Sequence, residues 1–273
     1  MPLLLLHGGP GAPHDYLEPL AAELSKERRT IMYDQLGCGL SDKPQDQRLW
    51  TLRHYLEELR SLIELLELDE FFILGQSWGG MLAAEYAASK PAGLRGLILS
   101  NSLASAETWN REARRLVGEL PGPLREALDN AEKDGDTSST HYQDAALEFY
   151  RRHVCRLPAW PECLQSSFAK LAEHPEVYGH MWGASEFYCD GILRDWDIRP
   201  RLKEVKTPAL LISGEFDEAT PAVQKELREG LSDAEWNLIP RASHMAHLEE
   251  PRAYLKAVSS FLDTIDSGNG ARG

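Results

Sequence analysis

The sequence predicts an α/β fold, a mostly parallel sheet flanked by helices and interrupted by an inserted helical cap. Three observations predict it. Short continuous apolar runs recur along the chain, each of the length of a strand buried on both faces. Each run leads into a turn and then a helix-like segment, and strands alternating with helices build a parallel sheet with right-handed crossovers. The rhythm stops at Asn101, gives way to a charged, helix-rich segment, and returns near Pro208.

The elements follow in order. Leu3 to Leu6 is the first strand and ends in the loop His7-Gly8-Gly9-Pro10-Gly11. Asp15 to Arg28 reads as a helix, with Asp15 and Glu18 at the spacing of a capping box. Thr30 to Tyr33 is a strand and runs into a glycine-punctuated loop, Asp34 to Ser41. Thr51 to Leu68 is a helix, since Leu52, Tyr55, Leu56, Leu59, Leu62, Ile63 and Leu66 recur on one face. Phe71 to Leu74 is a strand, followed by Gly75-Gln76-Ser77-Trp78-Gly79 and a helix over Gly80 to Ala88. Leu94 to Ser100 is the next strand. Residues 101–203 form the cap, broken by Pro121-Gly122-Pro123 and by Asp134 to Thr140. The core resumes over 204–265 with the strand Leu210 to Ser213 and a helix that Thr220 caps and Pro221 opens. The strand Glu235 to Ile239 follows, then a helix within His244 to Ile265. Residues 1–100 and 204–265 thus form the core, and 266–273 read as a disordered polar tail.

Composition narrows the function. The 273 residues carry a net charge of −14, which disfavours nucleic acid and anionic membrane surfaces as partners. It is compatible with a cationic or amine-bearing substrate. Cys38, Cys155, Cys163 and Cys189 fall into no metal-binding spacing and read as free thiols, so no metal is expected. The N-terminus lacks a basic segment and a long apolar run, which points to a cytoplasmic protein.

Ser77 carries the chemistry. A serine between glycines on a strand–turn–helix is the arrangement that exposes a nucleophile at the top of a sheet. It needs a base, and the base needs an acid to orient it. In this architecture the acid follows a late strand and the histidine follows the last one, which selects Asp217 and His244. Asp217 is equally what an ordinary turn would carry, and Asp34 precedes the serine and reads as a tie for its own loop. His247 reads as a packing or capping residue, His7 as a backbone-binding one, and His54 and His141 as surface residues. An acyl transfer also needs oxyanion donors: the amide of Trp78 and one from the His7–Gly11 loop. Trp182, Phe187, Tyr188 and Trp196 are aromatic residues of the cap whose plainest role is packing.

His-Gly-Gly-Pro-Gly at 7–11, Tyr33 to Ser41, Gly75 to Gly80 and Gly214 to Glu218 together resemble the prolyl aminopeptidases (proline iminopeptidases) of the α/β-hydrolase superfamily. Glu186-Phe187 and Asp195 to Ile198 resemble the tricorn-interacting aminopeptidase branch. The resemblance runs from Leu3 to about Leu262. It implies a triad of Ser77, Asp217 and His244, oxyanion donors from Gly9 and Trp78, and Glu186 and Glu218 as holders of the substrate's free amine. Two convergent carboxylates suit an ammonium through charge-assisted hydrogen bonds; by spacing alone both could lie on solvated faces. No cofactor is implied, and the expected substrates are short peptides or amino-acid amides with a free N-terminus. An esterase, amidase or lactonase on the same triad, or a non-catalytic binding protein, are the alternatives. By that resemblance the family's first antiparallel strands are expected to be missing, which would leave the strand Thr30 to Tyr33 at the sheet edge.

Overall fold

The computed structural model describes residues 1–134, 137 and 139–270. Six parallel strands form one sheet: β1 (Leu3–Leu6), β2 (Thr30–Met32), β3 (Phe71–Gln76), β4 (Leu94–Ser100), β5 (Ala209–Gly214) and β6 (Ala234–Ile239). Their spatial order is β2-β1-β3-β4-β5-β6. β2 lies at one edge, where the sequence put it, and β6 at the other. The central strands are apolar on both faces because both faces are covered. Leu4, Leu6, Ile73, Leu97 and Leu99 enter the core on one side. Their alternates Leu3, Leu5, Phe72, Leu74 and Ile98 enter the core on the other.

The helices attached to the sheet are α1 (Glu18–Leu24), α2 (Leu52–Leu65), α3 (Trp78–Ala88), α9 (Pro221–Gly230), α10 (Ala246–Glu249) and α11 (Pro251–Gly270). α2 packs with the amphipathic face read from sequence, burying Tyr55, Leu59 and Ile63. α3 is buried along its whole length and follows the nucleophile strand into the centre of the molecule. Between the neighbouring strands β4 and β5 the chain makes a long excursion through α4 (Ala106–Gly118), α5 (Gly122–Asp134), α6 (Thr140–His153), α7 (Glu162–Glu173) and α8 (Glu176–Met181).

Five expectations need correction. The helix expected from Asp15 begins with a short 3-10 helix, His14–Leu17, and α1 starts only at Glu18. Pro19 has no amide hydrogen to give and sits in the first turn of α1, where that costs nothing. Asp15 makes no capping box; its carboxylate accepts from Ser166 and Lys170 of α7. Thr220 precedes α9 without a side-chain cap, since its hydroxyl donates to Glu112 Oε2 at 3.1 Å. The last helix divides at Pro251 into α10 and α11, as a proline interrupts helical pairing. The expected disordered tail is also shorter, because α11 continues through residues 266–270. Asp266 explains this: it pairs with Arg28 at 2.9 Å and with the Met1 amine at 3.7 Å, tying the helix to the sheet edge. Residues 271–273 of that tail lie outside the described residues.

Candidate active site

Ser77 sits between β3 and α3 with φ 55° and ψ −120°, a backbone conformation that costs a non-glycine residue about 1–3 kcal/mol. Four hydrogen bonds hold it there. Its amide donates to Ser100 O at 2.9 Å, and its carbonyl accepts from Gly80 N, Met81 N and Ser102 Oγ. Close approach explains the flanking glycines. A β-carbon on Gly75 would clash with the Gly79 carbonyl, and one on Gly79 would clash with the Leu6 carbonyl. α3 can therefore start directly against β1 and β3, with Trp78 as its first residue and an amide unpaired within the helix.

His244 follows β6, and its Nδ1 lies 2.8 Å from Asp217 Oδ1. Asp217 is itself fixed: Asn101 Nδ2 donates to Oδ2 at 2.6 Å and the Ala219 amide to Oδ1 at 2.9 Å. Both members of the pair are buried. Burial alone would lower the pKa of the imidazole, but the Asp217 carboxylate, by charge and hydrogen bond, and the charge of Glu186 lift it above its ordinary value. The arrangement fixes the tautomer, since an Nδ1–H donated to Asp217 leaves Nε2 as the basic nitrogen.

Ser77, His244, Gly9 and Glu186 line one cavity of about 220 Å³. Its apolar wall is Tyr150 and Val154 after β4, then Phe168, Leu171 and Ala172 of α7, Pro175, and Tyr178 of α8. None of the four aromatic residues singled out by sequence lines it. Trp182 donates its indole to the Glu186 carbonyl at 3.1 Å, Phe187 packs on Phe149, Tyr188 lies under Arg114, and Trp196 donates to Glu85. They pack the excursion, as their plainest reading had it.

Behind His244 stands Glu218, 0% exposed, with Oε1 3.8 Å from His244 Nδ1. Its carboxylate oxygens accept no hydrogen bond among the described residues, but a protonated Glu218 can donate to the neighbouring Glu186 carboxylate. Glu186 Oε2 accepts from Tyr178 Oη at 2.5 Å. Potential ligand atoms of Glu186, Glu218 and His244 lie within 4.8 Å of one another. Burial, then the charges of Glu186 and Asp217, push the Glu218 carboxyl well above the usual carboxylate range. Two acids thus converge on one place, where an ammonium would satisfy them.

A second cluster, His7, Asp34 and Cys38, also brings three potential metal ligands within 4.8 Å. Its lone pairs are committed elsewhere. His7 Nε2 accepts from Gln35 N at 2.9 Å and its Nδ1 meets Gly8 O. Asp34 accepts from His14 and Leu40. Burial pulls the pKa of His7 down to about 4, so it is a neutral, backbone-binding residue. His247 is likewise neutral, its pKa pulled down to about 4 by burial, with Nε2 on Tyr16 O at 3.0 Å.

Sequence reasoning did not find Tyr16, Gln76, Asn101 or Tyr178. Gln76 lies inside the serine motif, and Asn101 directly follows β4 with φ 51°, an unusual conformation that asparagine tolerates. Tyr178 carries no local pattern; its role exists only once α8 is folded beside Glu186.

Comparison with known proteins follows this geometry. The family model for the alpha/beta hydrolase fold matches residues 1–251. The chain is 42% identical over 268 residues to the proline iminopeptidase of Clostridium botulinum, covering 97% of this chain and 90% of that protein. The crystal structure of the proline iminopeptidase of Mycobacterium smegmatis superposes with a TM-score of 0.92 at 39% identity, over 98% of this chain and 91% of that one. The crystal structure of VinJ superposes with a TM-score of 0.94 at 37% identity, over 97% of this chain and 90% of that one.

Proposed function

The chain belongs to the alpha/beta hydrolase fold family and to its proline iminopeptidases, and from that premise we propose that it is a serine aminopeptidase releasing an N-terminal prolyl residue from peptides. The observation that carries this reading is the pairing of a buried His244–Asp217 couple with Glu186 on the cavity that Ser77 lines and with Glu218 converging from behind His244. The couple supplies a base for acyl transfer; the acids supply recognition of a free amine.

Ser77 Oγ attacks the first peptide carbonyl while His244 Nε2 takes its proton. The amides of Trp78 and Gly9 donate to the oxyanion that forms, each contributing about 3–4 kcal/mol. The intermediate collapses, His244 protonates the departing amine, and the prolyl acyl group stays on Ser77. Water, deprotonated by His244, then attacks the ester, and the proton passes back to Ser77. Asp217 holds His244 in place throughout and stabilises its charged form. Glu186 and Glu218 bind the substrate ammonium. An internal peptide bond offers no ammonium to offset them, which limits cleavage to the first residue. Residues 101–203 act as a cap whose α7 and α8 close the prolyl pocket over the core formed by 1–100 and 204–265.

Two measurements test this reading. Ser77→Ala is expected to abolish hydrolysis of prolyl-arylamide; wild-type turnover in the variant would refute the nucleophile. Prolyl-arylamide is expected to be cleaved and its N-acetyl form refused. Equal rates on the two would remove Glu186 and Glu218 from recognition and favour a general amidase or esterase.

A further inference from the structure

A single phenol oxygen joins the three loops that carry the proposed chemistry. Tyr16 lies in the 3-10 helix just after the His7–Gly11 loop and is 2% exposed. Its hydroxyl accepts the Gly8 amide hydrogen at 2.6 Å and donates its own to Gln76 Oε1 at 2.7 Å. Gln76 is the last residue of β3, directly before Ser77. Its Nε2 in turn donates to the His244 carbonyl at 3.4 Å. The backbone of Tyr16 completes the set, since its carbonyl meets His247 Nε2 at 3.0 Å, one turn beyond His244. There is no slack at this junction. A β-carbon on Gly8 would stand 2.7 Å from Gln76 Oε1 and 3.1 Å from both Ser77 Cβ and the Tyr16 hydroxyl oxygen.

We propose that Tyr16 is a positioning residue that sets the oxyanion loop against the nucleophile and the base. The Gly8 amide of the first loop is taken up by Tyr16. The loop is thereby anchored one residue before Gly9, which lines the cavity together with Tyr16 and Gln76. The same hydroxyl orients the Gln76 amide by fixing its oxygen, so its nitrogen is directed to the loop of His244. Stabilisation of an oxyanion depends on donors held in place before the reaction, because donors that must reorganise lose most of their effect. Tyr16 supplies that rigidity without being a catalytic group itself. This inference rests on the serine aminopeptidase reading above, and its test is separable from that one.

The test is Tyr16→Phe, read with three ligands. On prolyl-arylamide, kcat is expected to fall about 10- to 100-fold while KM stays within about threefold, since a transition-state contact is lost and ground-state binding is kept. L-prolinol, which has the amine but no oxyanion, is expected to bind the variant as it binds the wild type. Prolinal, whose adduct with Ser77 places an oxyanion at the loop, is expected to weaken in step with kcat/KM. Gln76→Met cuts the link from its other end and is expected to show the same split, with the double variant no worse than about twofold below the poorer single one. An unchanged kcat would overturn the proposal. So would a parallel loss of prolinol affinity, prolinal affinity and kcat, which marks a general loosening, or fully additive effects of the two substitutions. If Tyr16→Phe does not fold, Gln76→Met alone decides by the same split. A failure of the underlying reading looks different, because wild-type enzyme would then accept the N-acetylated substrate.

Discussion

At the scale of the residue, Glu218 is a local departure from what stability alone would choose. Its fully buried carboxyl lies against Glu186, Asp217 and His244, and burial together with the charges of Glu186 and Asp217 pushes it well above the usual carboxylate range. An ammonium arriving at Glu186 and Glu218 reverses this balance, because it favours the ionised form. The sign follows: the bound state holds fewer protons, so binding of a cationic amine releases protons and tightens as pH rises. L-prolinol binding to the Ser77→Ala variant, followed by calorimetry in buffers of different ionisation heat, is expected to release protons. A buffer-independent heat would refute it. The folded state also binds this proton more strongly than the unfolded chain, whose carboxyl titrates normally. Its stabilising contribution is therefore complete below the ordinary carboxylate range and is lost as pH rises toward the raised value. Glu218→Gln is accordingly expected to melt higher than wild type at pH 8, by a margin that shrinks toward pH 4. Its kcat/KM on free-amine substrates should fall at least tenfold, the worth of one charge-assisted hydrogen bond. A variant no more stable than wild type at pH 8 would show that the buried acid is not under strain.

At the scale of the element, the junction of β3 and α3 governs the site. The turn forces Ser77 to a positive φ and packs the start of α3 onto the β1 backbone, and only glycine at 79 permits that approach. Gly79→Ala is expected to destabilise the protein by about 1–3 kcal/mol through overpacking. Because the Gly79 site adjoins Leu6 and His7, the change is also expected to displace the oxyanion loop and lower kcat in whatever fraction remains folded. Chemical denaturation alongside active-site titration separates the two effects, and an unchanged midpoint would contradict the clash. This junction was legible in the sequence because every requirement is local: an apolar strand, two glycines, one serine, an apolar helix. The orders of strand and loop that place Asp217 and His244 were legible for the same reason. What was not legible is contact across the chain. Asn101 reaches Asp217 over 116 positions, and Asp15 abandons a local capping box for Lys170 on α7. Neither partner leaves a mark in the residues around the other. Glu186 and Glu218 stand between these cases, since family resemblance pointed to them while spacing did not.

At the scale of the whole molecule, the excursion between β4 and β5 supplies most of the apolar wall of the cavity. Two sets of ties hold it to the sheet. The end of α6 is joined to the catalytic loop by backbone bonds, His244 N to His153 O at 3.1 Å and Met245 N to Val154 O at 2.9 Å. Glu249 strengthens that seam by accepting from Ser243 and from the Arg156 amide. On the other side α7 is tied to the first loop, Ser167 Oγ donating to the Pro13 carbonyl at 3.0 Å and Ser166 and Lys170 meeting Asp15. Between these two ties the pocket is small, about 220 Å³. A small rigid ring such as that of proline loses little freedom on entering it, whereas a flexible longer side chain must be ordered and lacks room. Phe168 is the residue to vary. It lines the cavity and is wedged between Trp160, with ring centroids 5.1 Å apart, and Tyr150, at 6.2 Å. Phe168→Ala opens the wall without touching Ser77, His244 or either acid. The ratio of kcat/KM for leucyl- to prolyl-arylamide is expected to rise about tenfold, the scale on which one or two methylenes of fit change selectivity. If both substrates decline together and the ratio holds, Phe168 merely supports the fold and the selectivity lies on the Tyr150–Tyr178 side of the cavity.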